Sequence, residues 1–195
     1  MTTGGQTSAL ALLLRAAAFS ADRHRDQRRK GEEESPYINH PLEVADVLAS
    51  VGGVTDLDVL LAALLHDTVE DTGTLPDELE ELFGGEVRAL VAEVSDDKTL
   101  PKEERKRLQV EHSPALSAGG KLLKLGDKIC NVRDVVDRPP VEWSLQRRLE
   151  YLDWAEAVVA GCRGVNADLE ACFDESVREG RRALVIAAAA GRRAG

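Results

Sequence analysis

The segment Leu64-Leu65-His66-Asp67-Thr68-Val69-Glu70-Asp71 places a histidine and three carboxylates directly after an apolar run and just ahead of Gly73. Read as helix, it puts His66 with Glu70, and Asp67 with Asp71, on shared faces. The carboxylates then crowd the C-terminal turns, where they repel one another and where the helix end is already partly negative. A surface helix would carry Lys or Arg there. A bound cation is the simplest compensation, since imidazole and carboxylate together suit a divalent metal. A solvated helix end fits the same residues, so this segment alone leaves both readings open.

A metal site needs further ligands, and two other segments offer them. In Pro36-Tyr37-Ile38-Asn39-His40-Pro41, His40 sits at a helix start, where it reads either as a capping histidine or as a nitrogen ligand. In Lys121 to Asp134, Leu122, Leu125, Ile129 and Val132 mark an apolar helix face, yet Gly126 and Asp127, both poor helix formers, stand mid-helix. Two unfavourable choices side by side point to a local requirement, such as close approach of another group. A surface pair of Asp127 with Lys124 or Lys128 is the competing reading. Arg28-Arg29-Lys30 offers guanidinium forks for phosphate, or simply a favourable end for the first helix. A second basic group, Lys98, Lys102, Arg105, Lys106 and Arg107, reads mostly as solvated, with Lys98 in its Asp96-Asp97-Lys98-Thr99 loop the exception.

The elements that must position these residues are helical. The first helix is expected over 8–28. An exposed acidic loop follows at Glu32 to Glu34. Further helices are expected from Asn39, with a side-chain cap, to Ser50, and from Asp56 to the stop at Gly73. The run Leu57 to Leu65 is apolar on most sides and must be buried. Short helices follow Pro76 and Val87, a basic one follows Pro101, and 113–120 reads as a loop. The last helices are expected over 122–136, 143–160 and 166–179, with a tail from Arg181 that is helical or frayed. No internal repeat and no linker interrupt the chain.

Composition agrees with an all-α, single-domain chain. The 195 residues suit one core of about 100–250 residues, and 43% are hydrophobic, chiefly Leu, Ala and Val. The single domain is expected over 1–195, with its core about 8–178 and an Ala- and Arg-rich tail over 181–195. A net charge of −10 argues against a nucleic-acid or membrane-surface partner. The three cysteines lack a metal-type spacing, and an odd count does not make a disulfide framework, which predicts a reducing, cytoplasmic setting. The apolar start, Ala9 to Ala18, has no basic residue ahead of it and is broken by Arg15, so it reads as an amphipathic helix rather than a signal peptide. No stretch approaches the roughly 20 apolar residues of a membrane span.

Taken together, His40, the His66-Asp67 pair and Asp127 resemble the H…HD…D pattern of the HD-domain phosphohydrolases. The surrounding words narrow the resemblance. Tyr37-Ile38-Asn39-His40-Pro41, Ala63 through Thr72, Asp96-Asp97-Lys98-Thr99-Leu100-Pro101, and Leu125-Gly126-Asp127-Lys128 followed by Asn131 and Arg133-Asp134 look like the small alarmone hydrolases. These are stand-alone relatives of the hydrolase domain of stringent-response enzymes. The likeness runs from about Leu10 to Glu170, and no synthetase domain fits in the chain.

The resemblance implies an HD-domain helical bundle holding one Mn²⁺ through His40, His66, Asp67 and Asp127. It implies a water-activating pair, Glu70 and Asp71, and substrate contacts at Arg29, Lys30, Tyr37, Lys98 and Asn131. The reaction it implies is removal of the 3′-diphosphate of ppGpp. Zn²⁺, Fe²⁺ and Co²⁺ remain compatible with such ligands. Two positions depart from the family pattern: Gly126, where Ala is expected, and Cys130, where some relatives carry an aromatic near the base pocket. Two rival readings stand beside this one. The same site could release the 2′-phosphate of NADPH, or the chain could bind an alarmone without turnover. Oligomeric state, a homodimer included, is left open.

Overall fold

The computed structural model describes residues 8–31 and 33–191. Helix α1 (Ala9–Arg23) is capped by Ser8, whose hydroxyl accepts from the Ala11 N–H at 3.2 Å. It ends five residues short of the expected Arg28, because the next segment finds other partners. His24 is buried, its Nδ1 lies 2.7 Å from Gln27 Oε1, and its ring stacks on Tyr37 at 4.8 Å. Arg29 N–H then donates to the Ser35 carbonyl and Tyr37 N–H to that of Gln27, pairing Arg28 with Pro36 in a short antiparallel bridge. Arg28, Arg29 and Lys30 therefore lie on this returning loop and not at a helix C-terminus.

Helix α2 (Asn39–Asp46) starts where expected, but Asn39 lies inside it and no side chain caps it. It widens into a π-helical turn, Val47–Val51, which Gly52 closes with an N–H to the Val47 carbonyl. Helix α3 (Leu57–Leu65) is capped by Asp56 and buries Val59 and Leu61 through Leu65. The Val and Leu side chains among them contribute about 1.5–3 kcal/mol of burial each. The helix then breaks. Thr68 Oγ1 donates to the Leu65 carbonyl at 2.7 Å and the His66 imidazole takes that of Ala63, so side chains capture backbone acceptors at the bend. Helix α4 (Thr68–Asp71) resumes after it. The expected unbroken helix to Gly73 is corrected accordingly. His66 and Asp67 sit at a joint, not along one regular face.

Helices α5 (Pro76–Phe83) and α6 (Gly85–Val94) are separated by Gly84, whose φ of 99° an L side chain rarely adopts. Helix α7 (Lys102–His112) and a 3₁₀ turn (Ser113–Ala115) lead to α8 (Ala118–Asp137). Its start is four residues earlier than expected because Ser117 caps it through the Gly120 N–H. Helix α9 (Leu145–Ala160) is capped by Ser144. Helix α10 (Ala167–Gly191) joins the expected last helix to the tail, which takes the helical of its two expected forms, with Leu184 buried, and 192–195 lie outside the described residues.

Helix α3 is central, packed by α1, α2, α6 and α8, with α10 lying along α8. Leu48, Leu61, Leu65, Leu125, Ile129 and Phe173 fill the core. No strand forms among the described residues, as the all-α expectation requires, and none of their helices is long and apolar enough to cross a membrane.

Candidate metal centre and active site

Three elements deliver the expected ligands to one point. Helix α2 brings His40, the α3–α4 joint brings His66 and Asp67, and α8 brings Asp127. Ligand atoms of His40, His66 and Asp67 all lie within 4.8 Å of one another. Asp127 Oδ1 stands 3.2 Å from His40 Nε2 and 4.0 Å from His66 Nε2. The His66 Nε2 atom is 3.2 Å from Asp67 Oδ2 yet makes no hydrogen bond. An orphaned, buried ring nitrogen aimed between two carboxylates carries an unrelieved desolvation cost, and a cation relieves it. This donor set of imidazole nitrogens and carboxylate oxygens fits a divalent metal.

Electrostatics tell the same story. Burial favours neutral His66, but the Asp67 and Asp127 carboxylates override it and raise its pKa to about 9. Burial pushes Asp67 up, while His66 and His40 pull it below the usual carboxylate range. Asp127 is held well below that range, against burial, by Lys128 and His40. The pocket draws positive charge strongly.

Each carboxylate accepts from further donors, Tyr37 and Asn131 on the oxygens that face the histidines and Lys128 on the other oxygen of Asp127. Tyr37 Oη donates to Asp67 Oδ2 at 2.7 Å, and Lys128 Nζ to Asp127 Oδ2 at 2.8 Å. Asn131 Nδ2 donates to Asp127 Oδ1. The Asp127–Lys128 pair that competed with the metal reading does exist, but it is buried, with the Lys128 side chain 4% exposed. Lys124 turns away, to the Val94 carbonyl. The close approach anticipated at Gly126 is also present: a Cβ there would meet Leu48 Cγ at 3.1 Å and Val44 Cγ1 at 3.2 Å.

Glu70 and Asp71 share one cation. Lys98 Nζ is 2.9 Å from Glu70 Oε1 and 2.7 Å from Asp71 Oδ1. The Asp96 N–H donates to Glu70 Oε2 at 2.8 Å. Burial raises the Glu70 pKa, opposed by the Asp96 N–H and by Lys98.

Beside this cluster opens a cavity of about 720 Å³, within the size range of nucleotide-sized ligands. Of the expected residues, Arg29, Lys30, Tyr37, His40, Asp71, Lys98 and Asn131 line it, whereas His66, Asp67, Glu70 and Asp127 lie behind the wall. Arg29 is anchored: Nε donates to Asp134 Oδ2 at 3.1 Å and Nη2 to Asn131 Oδ1 at 2.9 Å. Cys130 faces the core and lines none of the cavity, so the position expected near a base pocket does not reach it.

Sequence reasoning missed three contributors. Asp134 anchors Arg29, and its i, i+3 and i, i+7 spacing from Asn131 and Asp127 was the available signal. Gln27 donates to Asp71 Oδ2 at 3.1 Å, a partner that only the returning loop supplies. Tyr151 lines the cavity from α9, its hydroxyl pushed up to about 12 by burial, with no local signal to mark it.

The HD domain family profile matches residues 16–152. A frog relative (Xenopus tropicalis) named guanosine-3′,5′-bis(diphosphate) 3′-pyrophosphohydrolase MESH1 is 56% identical over 86% of this chain and 94% of its own. The human protein of that name is 58% identical over 84% and 91%. A solved structure described as a metazoan ortholog of SpoT that hydrolyzes ppGpp superposes with a TM-score of 0.84, at 46% identity, over 87% of this chain and 95% of that one. By sequence and by shape, the chain belongs to the HD-domain family, in the branch of the MESH1 proteins.

Proposed function

We propose that the chain is a metal-dependent 3′-pyrophosphohydrolase that converts ppGpp to GDP and pyrophosphate. The observation that carries this reading is the meeting of the His40–His66–Asp67 ligand cluster with a cavity whose wall holds Arg29, Lys30 and Lys98. The MESH1 name of relatives above 50% identity supplies the substrate.

In this reading His40, His66, Asp67 and Asp127 would hold one Mn²⁺. A bound divalent ion screens phosphate oxygen charge and lowers the pKa of water. Glu70, placed by Lys98 and the Asp96 N–H, takes the proton from the attacking water, with Asp71 orienting it. The water oxygen joins the 3′-phosphorus, the bond from that phosphorus to the ribose 3′-oxygen breaks, and the oxygen leaves with a proton as the 3′-hydroxyl of GDP. Arg29, Lys30 and Lys98 hold the phosphates as charge clamps. Tyr37 keeps Asp67 turned toward the histidines, and Asn131 does the same for Asp127 while steadying Arg29. A cytoplasmic setting suits the free thiols of Cys130, Cys162 and Cys172.

The test is ppGpp incubated with purified protein and Mn²⁺, with and without EDTA, and separated by chromatography. GDP and pyrophosphate formed only with metal are expected. No product from metal-loaded protein, with phosphate released from NADPH instead, moves the assignment to the 2′-phosphate substrate.

A further inference from the structure

Helix α7 buries none of its residues. Polar side chains fasten it to the body. Gln109 Nε2 donates to both carboxylate oxygens of Asp96, at 2.9 and 2.8 Å, and Arg105 Nη1 stands 3.7 Å from Asp96 Oδ2. Trp154 Nε1 donates to the Lys106 carbonyl at 3.0 Å. A small cavity of about 200 Å³ flanks the Gln109–Asp96 contact.

The loop gripped in this way matters because of what it carries. Asp97 Oδ1 accepts from the Thr99 N–H at 2.9 Å and the Thr99 hydroxyl at 2.7 Å, and the Leu100 N–H returns to the Asp97 carbonyl. Residues 96–100 thus form one closed turn. Both partners of Glu70 ride on it, the Asp96 N–H on Oε2 and the Lys98 ammonium on Oε1. On the other side Lys124 Nζ holds the Val94 carbonyl at 2.7 Å, which pins the chain at the entry to the turn. Beyond that entry, the Gln109 Nε2 group and Arg105 hold the Asp96 side chain from α7.

We infer that Gln109, supported by Arg105, is a positioning residue for Glu70: it fixes the Asp96–Leu100 turn from α7, and through it both groups that aim the Glu70 carboxylate. The inference rests on the role proposed for Glu70 above. Gln109 touches neither the ligand cluster nor the wall of the large cavity. Lys98, a phosphate clamp in the proposed reading, rides on the same turn, so an effect on substrate capture is expected beside the one on the chemical step.

The test combines a double-mutant cycle with amide exchange. Gln109→Leu keeps the side chain's bulk without its donors. It should lower kcat about 10-fold, the pattern of a misplaced group, and raise KM as Lys98 shifts with the turn. In a Glu70→Gln background the same substitution should lower kcat no further, because its effect on the chemical step runs through that carboxylate. Gln109→Lys, which returns a donor to Asp96, should recover most of the loss. By NMR, the Asp96 amide of Gln109→Leu should exchange faster while the amides of α3 and α8 keep their protection. An unchanged kcat, or an equal loss in both backgrounds, overturns the inference. A wild-type protein inactive on ppGpp counts instead against the proposed function, and the exchange measurement then decides alone: unchanged Asp96 protection in Gln109→Leu overturns the clamp.

Discussion

His66 Nδ1 lies 2.9 Å from the Ala63 carbonyl, and since a carbonyl only accepts, the proton on that ring sits on Nδ1. Once a bound cation takes the place of the proton on Nε2, the ring presents that lone pair toward Asp67 and Asp127. A backbone group three residues back sets the tautomer a metal ligand needs.

Metal removal follows from this geometry. With Mn²⁺ about 100-fold above its Kd, binding to the folded state adds about 2.7 kcal/mol, or roughly 5–11 °C in Tm for a chain this long. EDTA should remove both that increment and ppGpp turnover, and Mn²⁺ should restore them. His66→Ala should show neither response in a thermal melt titrated with metal.

Glu70→Gln keeps shape and hydrogen bonding but cannot take a proton. Turnover should fall about 10²-fold or more, while Mn²⁺ content measured by elemental analysis stays at the wild-type level. Near-normal turnover would remove Glu70 from the reaction.

The acid limb of kcat/KM should lie above the usual glutamate value of about 4.3, because burial raises Glu70 and only its carboxylate form accepts a proton. Lys98 and the Asp96 N–H oppose that rise, whereas the charge of Asp96 adds to it. Lys98→Met removes one opposing group, so the limb should move to still higher pH and activity at fixed acidic pH should drop. A limb that moves down would show that another group titrates.

Arg29 serves two partners at once through a planar fork, Asp134 and Asn131. A lysine is a single point of charge and cannot reproduce that anchoring. Arg29→Lys should raise KM for ppGpp about 10-fold, equivalent to about 1.4 kcal/mol, with kcat changed far less. Steady-state kinetics decide it, and an unchanged KM would take Arg29 out of substrate binding.

At Gly126 two effects oppose. Alanine gains about 1 kcal/mol of helix propensity, yet its Cβ would stand 3.1 Å from Leu48 Cγ. Gly126→Ala should therefore stay within about 1 kcal/mol of wild type, whereas Gly126→Val should lose about 1–3 kcal/mol by overpacking. Denaturant melts separate the two, and a stabilised Val variant would contradict the packing.

The helical fold was legible because it rests on local chemistry, whereas each residue proposed as a ligand was open to a second reading by itself and joined the others only through the family resemblance. The apolar run of α3 reports burial directly, and three carboxylates near a helix end signal a cation. The poor helix formers Gly126 and Asp127 marked a crowded spot, found as the contact with Leu48. What stayed hidden depends on partners distant in sequence. The first helix ends at Arg23 because Gln27 and Arg29 pair with Tyr37 and Ser35, which propensity does not foresee. The bend at His66 needs the Thr68 hydroxyl to reach a backbone carbonyl. Gln109 gave no sign of itself, since its role exists only once α7 lies beside Asp96.

The chain has two tryptophans, and both sit at the site. Trp143 is in the cavity wall; Trp154 lies against Lys128, the buried lysine behind Asp127, at 4.6 Å. Tyr151 joins them, with ring centroids 5.7 Å from one and 5.3 Å from the other. Intrinsic fluorescence of this protein therefore originates beside its chemistry, with one emitter facing the nucleotide cavity and the other backing the ligand cluster, an optical readout already present without any attached dye.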